Sequence, residues 1–370
     1  MSKILIVVFC FLSFMSFASE YKVSLLGLES MTDIQWGVTA INDKGQVLGG
    51  YQQKGTNQQI FLYDFKNGLT LIDSKDMCIQ LIKLNNAEQI LGCENNRTFI
   101  WSRSLGVHWL DVFKSKNIGA NDLNDLGQII GRYLPLEISE RPGTSTHEFR
   151  SFLWDNGVVS DMGPGSDFAK EFEVAGYHAM DIKLTSINNT GHIVGFFTNG
   201  KYNKIQKKYV AIETVPFYWD GDLHIVPVEL PVNFSSYEHQ LKLKLNNQGV
   251  VLIVHPFDNC QSYLWDRENG LQVLQNFAGF ALNDSNEVLG WSSSGGTSIW
   301  RNDRFITFSE LLGVNIHNMA PSYSESYSIE RIDCGWNNMV SLNNKGQVPC
   351  IGYIWGERYP CILEPITSNP

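Results

Sequence analysis

Charge is scarce in this chain of 370 residues: only 18% are Asp, Glu, Lys or Arg, and 28 basic residues against 38 acidic ones leave a net charge of −10. That balance excludes a whole-surface attraction to nucleic acid or to an anionic membrane. After residue 18 no apolar run is long enough to span a bilayer, so no membrane span is expected. The cysteines form no C-x-x-C pair and no His stands at metal-finger spacing, which removes the zinc reading. Also missing are the G-x-S-x-G elbow, the H-E-x-x-H helix, the P-loop, the dinucleotide fingerprint and an EF-hand loop. The sequence therefore names no metal, no cofactor and no catalytic residue.

What the chain has is apolar and aromatic bulk, 43% and 12% of residues, enough for one large core. At the start, Lys3 precedes the run Ile4 to Leu12, and the small residues Ser16 and Ala18 follow at signal-peptidase spacing. About 15 apolar residues fall short of the roughly 20 that span a membrane, so residues 1–18 read as a cleaved signal and 19–370 as one exported domain, secreted or periplasmic. Cleavage removes Cys10 from the seven cysteines and leaves Cys78, Cys93, Cys260, Cys334, Cys350 and Cys361 in an oxidising setting.

A repeat organises the rest. Ala40-Ile41-Asn42-Asp43-Lys44-Gly45-Gln46-Val47-Leu48-Gly49 is echoed from Leu84, Leu123, Ile187, Leu245, Leu282 and Leu342, seven copies in all. Asn followed by Asp or Asn favours the first positions of a turn, and Gly supplies a left-handed residue, so each copy reads as a hairpin corner between two strands. Asn286 replaces that Gly in the sixth copy and keeps the turn. In the second copy Glu88 stands there, and a different turn is expected.

After each corner comes an aromatic strand, such as Phe61-Leu62-Tyr63, Phe99-Ile100-Trp101 or Phe152-Leu153-Trp154, then a tight Asp/Asn/Gly turn and a fourth short strand. Four strands in about 50 residues is propeller-blade size. The seventh unit ends without a fourth strand, and Tyr21 to Leu26 precedes the first unit with no partner, so the amino-terminal strand is expected to complete the last blade. An all-β, seven-bladed propeller follows, with an open β-solenoid as the rival architecture. The tryptophans Trp101, Trp154, Trp219, Trp265 and Trp300 recur at a fixed position and read as core between blades.

These residues, A-(I/L)-N-(D/N)-x-G-Q-(V/I)-(V/L)-G with an F-L-W strand, resemble the HAF-type extracellular repeat over essentially the whole mature chain. The resemblance implies an exported bacterial protein of propeller-like fold and carries no catalytic motif. The fifth and seventh copies depart from the pattern, with Ile253 and Pro349-Cys350 at its end.

If both tight turns lie on one face of the ring, the insertions 134–149, 163–184, 197–214 and 308–338 all fall on the other, which reads as the ligand face. Its candidate binding residues are His147, Glu148, Tyr177, His178, His317, Tyr323 and Glu325, with solvated loop residues as the alternative reading. Lys201, Lys204, Lys207 and Lys208 make a basic stretch suited to an anionic polymer, unless it is simply solvated. The function expected is a binding module, acting as a monomer on a protein or glycan ligand. The competing reading is a glycosidase or lyase using a pair of loop carboxylates. Finally, Cys350 and Cys361 are equidistant from the centre of a hairpin and would form a disulfide, or else two neighbouring buried thiols.

Overall fold

Each corner is organised by its first Asn. Asn42 Oδ1 accepts hydrogen bonds from Lys44 N (3.1 Å) and Gln46 N (3.0 Å), while its Nδ2 donates to Gln46 Oε1 (2.7 Å). Gly45, Gly127, Gly191, Gly249 and Gly346 hold the left-handed position with φ between 72° and 84°, and Asn286 does so at 61°. Glu88 corrects the sequence expectation: it adopts φ 62° and its N–H donates to Asn85 O at 3.3 Å, so the second corner is the same turn. The side-chain bonds of Asn85 to Gln89 outweigh the modest cost of a left-handed Glu.

The structure, a computed structural model, describes residues 20–27, 34–53, 59–72, 79–94, 97–115, 117–136, 149–228, 242–254, 261–292, 296–313, 329–333, 341–354 and 357–366. Strand β1 is Tyr21–Leu25. Blade one contains β2 (Ile34–Ile41), β3 (Val47–Gln53), β4 (Gln59–Asp64) and β5 (Gly68–Ile72). Blade two contains β6 (Ile79–Leu84), β7 (Ile90–Glu94), β8 (Arg97–Ser102) and β9 (Gly106–Trp109). Blade three contains β10 (Ile118–Leu123), β11 (Ile129–Tyr133), β12 (Arg150–Asp155) and β13 (Val158–Asp161), and helix α1 (Asp167–Val174) follows it. Blade four contains β14 (Ala179–Ile187), β15 (Ile193–Asn203), β16 (Lys208–Trp219) and β17 (Leu223–Ile225). Blade five contains β18 (Lys242–Leu245), β19 (Val251–Val254), β20 (Ser262–Asp266) and β21 (Gly270–Leu274). Blade six contains β22 (Phe277–Leu282), β23 (Val288–Ser292), β24 (Gly296–Arg301) and β25 (Arg304–Thr307), followed by helix α2 (Phe308–Leu312). Blade seven contains β26 (Ile329–Asp333), β27 (Val348–Ile354) and β28 (Glu357–Pro365), and its fourth strand is β1.

The chain is thus a seven-bladed β-propeller closed by its amino-terminal strand. Strand β1 runs antiparallel to β28 from Tyr21 opposite Pro365 to Leu25 opposite Cys361. Helix α2 braces this closure: a capping box between Thr307 and Glu310 starts it, Glu20 N donates to Leu311 O at 2.9 Å, and Phe308 and Leu311 pack with Tyr21.

Blades are joined by side chains as well as by apolar contact. Trp101 of blade two lies in one cluster with Ala40, Leu48, Ile60 and Leu62 of blade one, as expected for the repeated tryptophan. Around the axis each motif Asn donates from Nδ2 to the carbonyl of the next: Asn42 to Asn85, then Asn124, Asn188, Asn246, Asn283, Asn343 and back to Asn42, over 2.8 to 3.1 Å. The neighbouring Asp or Asn forms a second closed ring, Asp43, Asn86, Asp125, Asn189, Asn247, Asp284 and Asn344. In it each backbone N–H donates to the next residue's Oδ1 over 2.7 to 2.8 Å.

Within a blade, the glycine ending the motif is required by a close approach. A Cβ on Gly131 would lie 2.4 Å from Gly119 O and 2.9 Å from the ring of Phe152, the residue opposite it on β12. The pairs Gly49 with Phe61, Gly92 with Phe99 and Gly195 with Phe217 repeat this fit. In blade seven the same two positions hold Cys350 and Cys361, opposed in register and fully buried. Two medium side chains there replace nothing plus a ring.

Candidate functional site

Strand direction fixes the two faces. The corner turns and the turns between third and fourth strands share one face, and the connections between second and third strands lie on the other, as the sequence implied. The insertion 163–184, however, is more than a surface loop. Helix α1 starts at Ser166, whose hydroxyl accepts from Ala169 N, and it drives Phe168 and Phe172 against Phe197 and Phe217. Tyr177 packs edge-on against Phe197 at 5.1 Å, as part of this core.

The insertion 197–214 is a hairpin. Strands β15 and β16 have 11 and 12 residues, and they remain paired out to Asn203 opposite Lys208. The tip is turned by Asn203 Oδ1, which accepts from Ile205 N and Gln206 N at 3.0 Å. Tyr202 and Tyr209 face each other across the strands, 5.4 Å apart, and both are about half exposed. The His178 ring stacks on Tyr209 at 3.6 Å. The base is fixed where Asn199 accepts from His178 N (3.0 Å) and donates to Glu213 Oε1 (2.7 Å). Lys201, Lys204, Lys207 and Lys208 are all exposed around the tip, and no carboxylate occurs between Asn199 and Ile212. Of the expected binding residues, His178 therefore joins an aromatic platform beside four ammonium groups. His147, Glu148, His317, Tyr323 and Glu325 lie outside the described residues.

Among the described residues, two carboxylates on this face are held by arginines. Asp161 takes both Nε and Nη2 of Arg150, at 2.5 to 3.1 Å, and Asp181 takes Arg132 Nη2 at 2.8 and 3.0 Å. Burial opposes charge on Arg150, but the Asp161 carboxylate prevails and raises its pKa.

The seven innermost strands surround an axial cavity of about 560 Å³. Its rim on the corner-turn side carries the Asp/Asn ring, and deeper along the wall stand Lys83, Lys183 and Lys244. Lys83 Nζ lies 2.6 Å from the buried Asp122 of the next blade. Burial alone would raise the Asp122 pKa, yet Lys83, Lys244 and the Ser186 hydroxyl together hold it below the usual carboxylate value. The sequence reading missed these lysines. For Lys83 and Lys244 the signal was a charged residue two places before the motif Asn, a position that holds Asp122 in the third copy and Ala or Ser in the other four.

No known protein family matches this chain, and no curated protein is significantly similar to it. Solved structures with a similar overall shape include an acylaminoacyl peptidase from Pyrococcus horikoshii (12% identity, TM-score 0.47, 86% of this chain and 50% of that one). A gluconolactonase from Xanthomonas campestris has 11% identity and a TM-score of 0.37, over 94% and 92% of the two chains. The Dos1 propeller has 10% identity and a TM-score of 0.40, over 92% and 95%. The chain spans about half the length of the peptidase. Among the described residues no helix is long and apolar enough to cross a membrane.

Proposed function

We propose that this protein is an exported binding module of the HAF-repeat type, working as a monomer, whose ligand face carries the blade-four hairpin and engages an anionic glycan. The hairpin is the observation that supports it. Exposed Tyr202 and Tyr209 offer flat apolar area for sugar rings, and four lysines around the same tip suit carboxylate or sulfate groups. In a chain of net charge −10, these lysines form a local positive patch that suits an acidic ligand. Among the described residues, Asp161 and Asp181 are each bound to an arginine, which weighs against these two as a glycosidase pair. Export rests on the amino-terminal segment and the repeat.

Affinity electrophoresis of the mature chain in gels holding polygalacturonate, heparin or neutral dextran tests this reading. Retardation by an acidic polymer, abolished by Lys201→Gln/Lys204→Gln/Lys207→Gln/Lys208→Gln and weakened by Tyr202→Ala, is expected. Equal mobility in all gels overturns it, and release of reducing sugar would favour the hydrolase reading instead. Cleavage after Ala18, read by amino-terminal sequencing of exported protein, tests the compartment.

A further inference from the structure

Blades four and six each place an aromatic residue directly after the glycine that ends the motif, on the same rung of the second strand. In blade four this residue is Phe196, opposite Lys183 on the first strand; the Lys183 ammonium lies 5.2 Å from its ring, and Phe196 is 4% exposed. In blade six it is Trp291, opposite Ala278, which is too short to cover it. Its neighbour on the other side is Thr297 of β24, also small. The indole is therefore bare. Trp291 is 50% exposed while every other residue of β23 is buried, and no hydrogen bond, ring contact or cation–π pair engages it.

Trp291 is next to last in β23, so its ring lies where that strand reaches the face that carries the blade-four hairpin. The segment around it is neutral, since no Asp, Glu, Lys, Arg or His occurs from Val288 to Trp300. Beside the ring, the Thr297 hydroxyl is partly exposed and has no hydrogen bond. The site thus offers a flat apolar surface, one indole N–H donor and one hydroxyl that can donate or accept. A pyranose with equatorial hydroxyls matches this set, because its axial C–H groups form a flat apolar face with hydroxyls around the edge. A charged group would leave water for a segment that supplies no counter-charge.

We propose that Trp291 and Thr297 form a subsite for an uncharged sugar unit, such as β-linked glucose or xylose, lying flat on the indole. The choice of a sugar rests on the glycan reading of this face, but the subsite is separate from the hairpin. Fluorine NMR of the full chain labelled with fluorotryptophan tests it, the resonance of residue 291 being the one lost in Trp291→Phe. At least one of cellohexaose, laminarihexaose and xylohexaose should shift that resonance saturably, equally at low and high salt, and sorbitol should not. Saturation-transfer NMR should show binding at least tenfold weaker in Trp291→Ala and severalfold weaker in Thr297→Val, retained in Trp291→Tyr and unchanged in the four-lysine hairpin variant. Absence of a saturable shift with all three hexaoses overturns the proposal. So does unaltered affinity in a Trp291→Ala chain whose thermal midpoint matches the parent. Retardation by an acidic polymer without the shift at residue 291 sinks this subsite alone, and the shift without retardation sinks the hairpin reading alone.

Discussion

Asn189 stands next to Asn247 in the rim ring, joined by Asn189 N donating to Asn247 Oδ1 at 2.8 Å, and theirs is the one neighbouring pair of like residues there. Every other neighbour pair joins an Asn to an Asp. Seven is odd, so strict alternation cannot close. The amide pair is the cheaper defect, because two adjacent carboxylates would repel with no proton between them. Asn86 and Asn344 are then the most sensitive members, since the Nδ2 of Asn86 serves both Asp43 and Asp125 and that of Asn344 both Asp43 and Asp284. Asn86→Asp should destabilise by about 2 kcal/mol and more than Asn189→Asp, whose amide serves Asp125 alone. Chemical denaturation of both variants checks the order, and equal losses would contradict it.

Asp122 predicts the acid limb of stability. Its native pKa is lowered, so the folded state favours the charged form and gains stability above the ordinary carboxylate value near 3.9. That gain disappears as pH falls through the native value. Asp122→Asn should cost about 2 kcal/mol at neutral pH, less than a fully buried pair because Lys83 is partly exposed, and should flatten the decline below pH ~4. Thermal midpoints measured from pH 7 to 2 will show whether the two curves converge.

Glu88 occupies a glycine position at φ 62°. Its exposed contacts with Lys44 (3.3 Å) and Arg103 (3.8 Å) contribute little. Glu88→Gly should therefore raise stability by up to about 1 kcal/mol, whereas Gly127→Val should lower it by at least that amount. A fall in the melting temperature of Glu88→Gly would mean that the ion pairs outweigh the backbone strain.

Cys350 and Cys361 fill the slot that Gly and Phe fill elsewhere, with their Sγ atoms 2.9 Å apart as thiols and burial raising the Cys361 pKa. Export would oxidise them to a disulfide, which non-reducing peptide mapping should recover; separately alkylated thiols would refute it. The packing argument is tested apart from oxidation. Under reduction, Cys350→Gly/Cys361→Phe should be more stable than the sum of its single changes predicts, by about 1 kcal/mol or more.

Closure is tested at Lys22, opposite Glu364 on β28 and in phase with the bonded pairs Glu20–Ile366 and Leu26–Pro360. Lys22→Pro removes a donor that faces β28 and should lower the melting temperature by several degrees, far more than Val158→Pro in the outer strand β13. Similar losses would deny β1 a special role.

The blade count, the closing strand and the left-handed turn residues were legible because each rests on local chemistry repeated seven times. The fate of Glu88 was not, since side-chain bonds from Asn85 decide it. Nor was the core role of Tyr177, which depends on α1 folding across blade four. The cavity lysines escaped notice for a different reason: one Lys per copy carries no pattern until the ring sets Lys83, Lys183 and Lys244 around one axis.

Ser24 and Glu364, hydrogen-bonded at 2.6 Å, are 340 positions apart in sequence. During synthesis β1 emerges long before β28, so blade seven cannot assemble until residues 357–365 have left the ribosome. Through that interval the strand must stay unpaired without binding the exposed edge of another copy, and slow or crowded production would favour exchange of β1 between chains.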